Sequence, residues 1–235
     1  MPSGDVIDES DLVPQPRHAL LVRVTHWINA ASFIAFLLSG TAILLAYPRL
    51  HWGETGYRGA PALVDLPLPF VLELGIRGPG RYVHFLTAWI CLFNGLTYLL
   101  SGFATRHFSR EFVPERRELT LRSFAQVVAD HLHLKGARRE DVDRYNVVQR
   151  LIYLVVVFLL IPFMFVSGLA MSPTVTSVLP FLVDGLGGQQ SARTLHFASA
   201  CLLLLFFLVH VSLVVATGFR QRMRAMITGY HQSTK

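Results

Sequence analysis

Charged residues are scarce in this sequence, and cysteine is scarcer still. Asp, Glu, Lys and Arg together make up 15% of the 235 residues, whereas an ordinary soluble domain carries about 25%. The two cysteines, Cys91 and Cys201, both lie inside apolar stretches. They are too few and too deep for a disulfide framework. The low charge argues against a soluble domain, and the cysteines argue against a small disulfide-stabilised one.

The scarcity of charge leaves four long apolar runs, at residues 27–47, 82–105, 151–183 and 194–219. A helix needs about 20 apolar residues to cross the hydrocarbon core of a bilayer, and in lipid only a helix satisfies its backbone polar groups within one segment. The sequence therefore predicts an all-α fold, an integral membrane four-helix bundle embedded in lipid. The predicted helices cover residues 17–47, 81–105, 146–172 and 191–219. They form one domain at 17–220, between a disordered N-terminal tail at 1–16 and a cytoplasmic C-terminal tail at 221–235.

The basic residues are distributed unevenly between the two sides of the predicted bundle. Sixteen of the 21 Lys and Arg residues lie in the N-terminal segment, in the loop between helices two and three, or after helix four, and five lie on the opposite side. Loops rich in Lys and Arg remain in the cytoplasm. We therefore expect a multi-pass membrane protein with both termini cytoplasmic. Because this rule explains the net charge of +6, we expect no nucleic-acid partner.

Four of the ten histidines lie within the predicted spans: His26, His84, His196 and His210. Ionisable groups inside a membrane are costly and usually functional. On the predicted orientation, His26 lies near the inner start of helix one and His84 near the outer start of helix two. Helix four carries one histidine near its outer end and the other toward its inner side. The four histidines are therefore predicted to form two pairs at different depths.

The spacing of His196 and His210 indicates what the pairs hold. The two are 14 residues apart, which is close to four helical turns, so both lie on nearly one face at a separation of about 21 Å. Two neutral histidines with no carboxylate or thiolate beside them suit a six-coordinate b-type haem, whereas structural zinc takes four ligands. The absence of a C-x-x-C-H motif argues against covalent haem attachment. The sequence predicts two b-type haems with histidines as axial ligands of the iron.

Three arginines each precede one of these histidines by three residues: Arg23, Arg81 and Arg193. At that spacing the two side chains share one helix face, and arginine binds carboxylates such as haem propionates well. The general basicity of helix ends is an alternative, above all for Arg23. Small residues also recur in the spans, at Ser39-Gly40, Asn94-Gly95, Ser101-Gly102 and Ser167-Gly168. They allow close approach of a flat macrocycle or of another helix, and the sequence does not choose between the two.

These features resemble the bacterial di-haem cytochrome b subunits of nickel-iron hydrogenases, formate dehydrogenases and thiosulfate reductases. Similar subunits accompany some sulfite-oxidase-like molybdopterin enzymes. The matching residues are Arg-Val-Thr-His-Trp-Ile-Asn-Ala at 23–30, Ser39-Gly40, His84, and the His196/His210 pair. The resemblance covers the four spans, roughly residues 17–220. It implies that His84 and His196 ligate the outer haem and that His26 and His210 ligate the inner one, the pairing that the depths also give.

The formate dehydrogenase type also carries an Asn-x-Gly-Gln-Lys stretch at the start of helix three, near an inner quinone site. This chain has Asn146-Val147-Val148-Gln149-Arg150, in which Val148 replaces the glycine. The resemblance thus implies that Asn146, Gln149 and His210 bind quinone as a substrate. Helix capping is an equal alternative for Asn146.

The resemblance implies electron transfer between the membrane quinone pool and a periplasmic redox enzyme, with the direction open. The partner would be a molybdopterin enzyme, a hydrogenase or an iron–sulfur protein. One alternative is a stand-alone cytochrome b that oxidises a small molecule such as superoxide at the outer haem and reduces quinone. The outer loop, with Trp52, Tyr57 and Arg58, has the composition of a structured cap and mildly favours partner docking. A transporter that uses the histidines as a proton relay is a remote alternative, and it would be colourless.

Overall fold

The computed structural model describes residues 18–56, 59–66, 77–106, 108 and 147–230. Within this part of the chain, four helices are long and apolar enough to cross a membrane: Leu20–Ala46, Pro79–Ala104, Val148–Ala170 and Gln189–Ala216. Each begins and ends within three residues of its predicted bounds. The prediction of an all-α fold with four spans is therefore confirmed. Many of their large apolar side chains point outward, where lipid replaces a protein core.

The elements follow one another in a simple order. Helix α1 is Leu20–Ala46, strands β1 and β2 are Arg49–Leu50 and Val64–Asp65, and helix α2 is Arg77–Ala104. The third span consists of α3 (Val147–Val155), a π-helical turn (Val156–Leu160) and α4 (Ile161–Ala170). The short helices α5 (Pro173–Thr176) and α6 (Phe181–Gly185) precede α7 (Gln189–Ala216), and α8 is Phe219–Thr228.

The π-helical turn lies directly before Pro162, which occupies the first turn of α4. Proline has no backbone N–H, and inside a helix its ring clashes with the carbonyl four residues earlier. The wider turn relieves this conflict by adding a residue, and the N–H of Ile161 reaches back five residues to the carbonyl of Val156. The third span therefore continues past the proline as one membrane-length helix.

Small and polar residues fill the contact between α1 and α2. Thr25, Ser32 and Ser39 are buried on α1 at intervals of seven residues, and small side chains let helices approach closely in lipid. The Nδ2 group of Asn94 on α2 donates hydrogen bonds to the carbonyl of Thr25 at 2.9 Å and to Oδ1 of Asn29 at 2.8 Å. These contacts hold α1 and α2 as a tight pair, and α4 packs on α7 to form a second pair.

The loop after α1 folds over the start of α7 at the outer end. Strands β1 and β2 form an antiparallel ladder, and Arg49 forms an ion pair with Asp65 at 3.1 Å. The carbonyl of Gly53 accepts a hydrogen bond from the N–H of Gln190 at 2.9 Å, and its N–H donates to Oγ of Ser191 at 2.7 Å. This loop, residues 47–56 and 59–66, is called the outer cap below. Its regular contacts agree with the structured cap that the composition indicates, although Tyr57 and Arg58 lie outside the described residues.

The inner end carries a helix where the sequence analysis placed only a tail. Helix α8 follows α7 after two residues, Thr217 and Gly218. Gly218 precedes its first residue in a left-handed conformation, and Gly229 follows its last residue with φ of 91°. Residues 1–16, predicted to be a disordered tail, and 231–235 lie outside the described part of the chain. The helix was missed because a short segment with three arginines among ten residues was interpreted as a solvated tail.

Candidate haem sites

The four membrane histidines meet in two pairs. The rings of His84 on α2 and His196 on α7 have centroids 6.3 Å apart, with an angle of 61° between their planes. The rings of His26 on α1 and His210 on α7 also have centroids 6.3 Å apart, at 58°. Helix α7 thus contributes one member of each pair, because the 14-residue spacing directs both side chains toward α1 and α2. The two pairs are called the outer pair and the inner pair below.

The separation within each pair fits a bis-histidine metal centre. A metal with one imidazole nitrogen about 2 Å away on each side places the two ring centroids roughly 6 Å apart, since each centroid lies about 1 Å behind its nitrogen. Both observed distances are 6.3 Å. This is too long for a direct hydrogen bond between the rings. The donor set, two imidazoles with no third ligand, suits the axial positions of a haem iron.

Two serines fix the orientation of the outer pair. Ser39 Oγ lies 3.0 Å from Nδ1 of His84, and Ser167 Oγ lies 3.0 Å from Nδ1 of His196. Each serine hydroxyl donates its own hydrogen to the carbonyl four residues earlier in its helix, at 2.7 and 2.8 Å. The serine oxygen therefore accepts from the imidazole Nδ1–H, which leaves the lone pair on Nε2 for a metal. Histidine ligands are commonly oriented in this way by a hydrogen bond to the other ring nitrogen.

The glycine after each serine makes room for the same ring. A Cβ atom on Gly40 would lie 3.7 Å from Cε1 of His84, and one on Gly168 would lie 3.3 Å from Cε1 of His196. The contact at Gly40 is of ordinary van der Waals length, whereas at Gly168 even a Cβ would press on the imidazole. The two Ser-Gly pairs thus contact the outer histidines in matching ways, one from each helix pair.

The inner pair is surrounded by aromatic rings. Trp27 packs edge-on against His26 with centroids 5.6 Å apart, and Phe206 stacks on His210 at 5.8 Å. Tyr153 of the third span contacts Phe206 at 6.1 Å. The inner half of the third span therefore reaches His210 through two aromatic side chains. Sequence analysis did not single out Tyr153 or Phe206, since apolar aromatics are common throughout the spans.

Two of the three predicted propionate-binding arginines are held by backbone carbonyls. Arg193 donates to the carbonyl of Arg49 at 2.8 Å and to that of Tyr47, and it lies over the Tyr47 ring at 4.9 Å. Arg23 donates to the carbonyl of Ile227 at 2.6 Å. Arg81 is exposed on the first turns of α2. Arg193 and Arg23 thus secure the outer cap and α8, and propionate binding by any of the three stays a prediction.

The predicted quinone residues are only partly described. Asn146 lies outside the described residues. Gln149 lies on α3 one turn before Tyr153, on the helix whose aromatic contact leads to His210. The structure therefore neither joins these residues into one site nor separates them.

The fold and the two histidine pairs define a membrane protein of the b-type cytochrome class. The chain matches the prokaryotic cytochrome b561 family over residues 17–229 and belongs to that family. It is 31% identical over 215 residues to YedZ1 of Azospira oryzae, a proposed protein-methionine-sulfoxide reductase subunit, a match that covers 91% of this chain and 96% of the relative. No solved structure matches the chain.

Family membership settles the coarser predictions. The protein is a multi-pass cytochrome b of the bacterial inner membrane that carries b-type haem and takes part in electron transfer. The resemblance noted in the sequence is confirmed. The histidine-relay transporter has no support, because the family is one of haem proteins.

Proposed function

We propose that this protein binds two b-type haems, between the outer pair and between the inner pair, and transfers electrons from membrane quinol to a periplasmic reductase. The supporting observation is the presence of two histidine pairs with equal 6.3 Å ring separations. Haems bound there would carry single electrons between the two sides of the membrane. Helix α7 supplies a ligand at each level, about 21 Å apart along its axis, and orients both.

The relative supports the outward direction and the reductase partner. YedZ1 is named for a proposed role as a subunit of a protein-methionine-sulfoxide reductase, and this chain covers 96% of it. Reduction of one sulfoxide to the thioether consumes two electrons and two protons and releases water. Oxidation of one quinol to quinone at the inner end supplies the two electrons and releases two protons there, and the two protons consumed by the sulfoxide come from the periplasm. A molybdopterin cofactor in that partner remains a prediction; a hydrogenase partner would require the opposite direction of electron flow.

The inner end is where the quinol would be oxidised. Phe206 stacks on His210 there and Tyr153 packs against Phe206, and aromatic side chains provide the apolar walls that a quinone ring needs. Gln149, one turn before Tyr153, and Asn146 supply amide groups that suit quinone oxygens. The site is proposed at the start of the third span, where the two protons of the quinol would be released to the cytoplasmic side.

The outer cap favours a protein partner over a small-molecule substrate. Arg193 fastens the cap to α7 three residues before His196, and Trp52 on the cap is 59% exposed. An exposed tryptophan on an ordered loop is typical of a protein docking surface. The stand-alone enzyme that oxidises superoxide instead predicts a single purified subunit with activity of its own. Copurification of a second subunit with the wild type, and its loss in Trp52→Ala, would support the protein partner over the stand-alone enzyme.

Proteoliposomes that contain the holoprotein test the direction and the pairing together. A quinol analogue should reduce all of the haem in the wild type. Replacing both inner histidines with alanine should abolish reduction by quinol, whereas replacing both outer ones should leave quinol reduction and block transfer to an external acceptor. His133→Ala, in the loop between the second and third spans, is the matched control. Reduction by quinol that survives loss of the inner pair would refute the proposed site.

A further inference from the structure

Helix α8 has two basic faces that differ in burial. Arg222 is half-buried and shares its face with Ala225, which is 2% exposed, and with Gly229. These positions are three and seven residues apart, the spacing of one helix face. Arg220 and Arg224 are exposed on the other side. The helix therefore directs one of its three arginines toward the bundle and the other two away from it.

Two side chains of α1 hold the last turn of α8. The Nη1 group of Arg23 donates to the carbonyl of Ile227 at 2.6 Å, and Nε1 of Trp27 donates to the carbonyl of Met226 at 3.1 Å. The final carbonyls of a helix lack partners within it and carry its partial negative charge. A Cβ atom on Gly229 would lie 3.2 Å from Cζ of Arg23. The glycine thus ends the helix and admits the guanidinium.

This docking closes the inner end around the inner pair. Helix α8 continues from α7, which carries His210, and is tied by Arg23 and Trp27 to the start of α1, which carries His26. The Arg222 side chain lies at the inner end of α7, beside Thr217, which follows His210 by seven residues or about two helical turns. The distance from Nε of Arg222 to the carbonyl of Thr217 is 3.5 Å, which is long for a hydrogen bond. The Arg23 guanidinium donates from Nη1 to a helix carbonyl at 2.6 Å, and its buried Nε has no hydrogen-bond partner among the described residues.

We propose that α8 is a clasp over the inner haem site, in which Arg222 supplies the cation that binds a haem propionate and Arg23 is a positioning residue. The inference rests on the proposed function, since it requires a haem at the inner pair. A guanidinium binds a carboxylate through two parallel hydrogen bonds, and a lysine would provide the charge without the paired geometry. Arg23 acts through α8 by holding Arg222 beside His210.

The midpoint potential of the inner haem gives the most direct test. The variants are made in the His84→Ala background, where one haem should remain. Removing a positive charge beside the iron favours the ferric state, so Arg222→Gln should lower the potential. Arg224→Gln, which removes the same charge from the exposed face of α8, should leave it nearly unchanged. Arg222→Lys, which keeps the positive charge, should have a midpoint potential close to that of the parent protein.

Arg23→Gln separates positioning from direct binding. A clasp predicts faster amide hydrogen exchange over residues 219–228 together with a lowered potential. A lowered potential with unchanged exchange, combined with no effect of Arg222→Gln, would show that Arg23 itself binds the propionate and would overturn the proposal. Equal effects of Arg222→Gln and Arg224→Gln would overturn it as well.

Loss of the inner haem provides a second readout if Arg222→Gln binds haem poorly. Made in the wild-type background, this variant should keep the outer haem and lose the inner one faster to an apoprotein haem acceptor, whereas Arg224→Gln should not. Unchanged inner-haem retention and potential in a two-haem Arg222→Gln protein would refute the clasp alone. A wild-type protein with a single haem would refute the proposed function, and with it the clasp.

Discussion

The outer and inner histidine pairs have the same ring separation but different surroundings. In the outer pair, Nδ1 of each ring is held by a serine hydroxyl, and a glycine lies beside each ring. In the inner pair, the neighbours are Trp27 and Phe206. Two haems with the same axial ligands can have different redox potentials when the residues that contact those ligands differ. Both pairs contact aromatic rings, since Phe36 packs edge-on against His84 at 5.0 Å, but among the described residues the outer pair is also held by hydrogen bonds to two serines.

The two ends of the bundle are closed in related ways by different elements. Arg193, three residues before His196, binds carbonyls of the outer cap. Arg23, three residues before His26, binds a carbonyl of α8. Each arginine thus ties a distant segment to the helix end that carries a predicted haem ligand. The difference is that the cap is a loop with a short β-ladder, whereas the inner end is closed by an amphipathic helix.

The largest effect that distinguishes the two pairs should come from Gly168→Leu. A Cβ there already lies 3.3 Å from the His196 ring, so a leucine must displace the imidazole. The haem content should fall from two per chain to one, and the inner haem should keep its spectrum. Gly95→Leu is the control, because nothing lies within 4 Å of a Cβ at that position. Retention of both haems in Gly168→Leu would show that the outer pair does not depend on this contact.

A smaller effect, confined to the outer haem, should follow removal of the serine hydroxyls. Ser39→Ala and Ser167→Ala each remove the acceptor for an Nδ1–H, and loss of such a contact typically costs 10–100-fold in metal affinity. The less basic imidazole should also raise the midpoint potential of the outer haem. Haem-transfer rates and potentiometric titration measure the two effects. Ser32→Ala, buried on the same face of α1, should change neither, and an equal change in that control would contradict the role of the hydroxyls.

Loss of Arg193 should weaken the outer cap but not the inner end. Arg193→Gln removes hydrogen bonds from a charged donor to two carbonyls, each worth about 1.5–3 kcal/mol when well formed. The outer loop should become sensitive to protease at concentrations that leave the wild type intact. Arg49→Gln, which removes only the exposed ion pair to Asp65, should cost less than about 1 kcal/mol. A cap in Arg193→Gln that is as resistant as the wild type would contradict the proposed anchor.

The smallest effect should come from Gly229→Ala at the inner end. The residue has φ of 91°, which an L-residue adopts at a cost of about 1–2 kcal/mol, and the added methyl group crowds Arg23. Amide exchange should rise in α8 while the outer haem is unchanged. Gly218→Ala, which is strained at the other end of α8 but does not crowd Arg23, is the comparison. Greater loosening of the last turn by Gly218→Ala than by Gly229→Ala would contradict the Arg23 contact.

The spans and the histidine pairing could be predicted from sequence because both depend on local periodicity. Membrane helices are set by run length, and His196 and His210 share a face because 14 residues make nearly four turns. The Ser-Gly pairs were noticed, but their role was left open, because it depends on how neighbouring helices are rotated. The arginine contacts could not be predicted. Arg23 and its acceptor Ile227 are 204 residues apart in the chain, and no local pattern connects them.

The count of haems in purified protein tests the central claim most directly. The pyridine haemochrome assay should give two haems per wild-type chain, one after alanine replaces His84 and His196, and one after alanine replaces His26 and His210. The two single-haem proteins should have different midpoint potentials. One haem in the wild type, or two haems retained after either replacement, would contradict the assignment of one haem to each histidine pair.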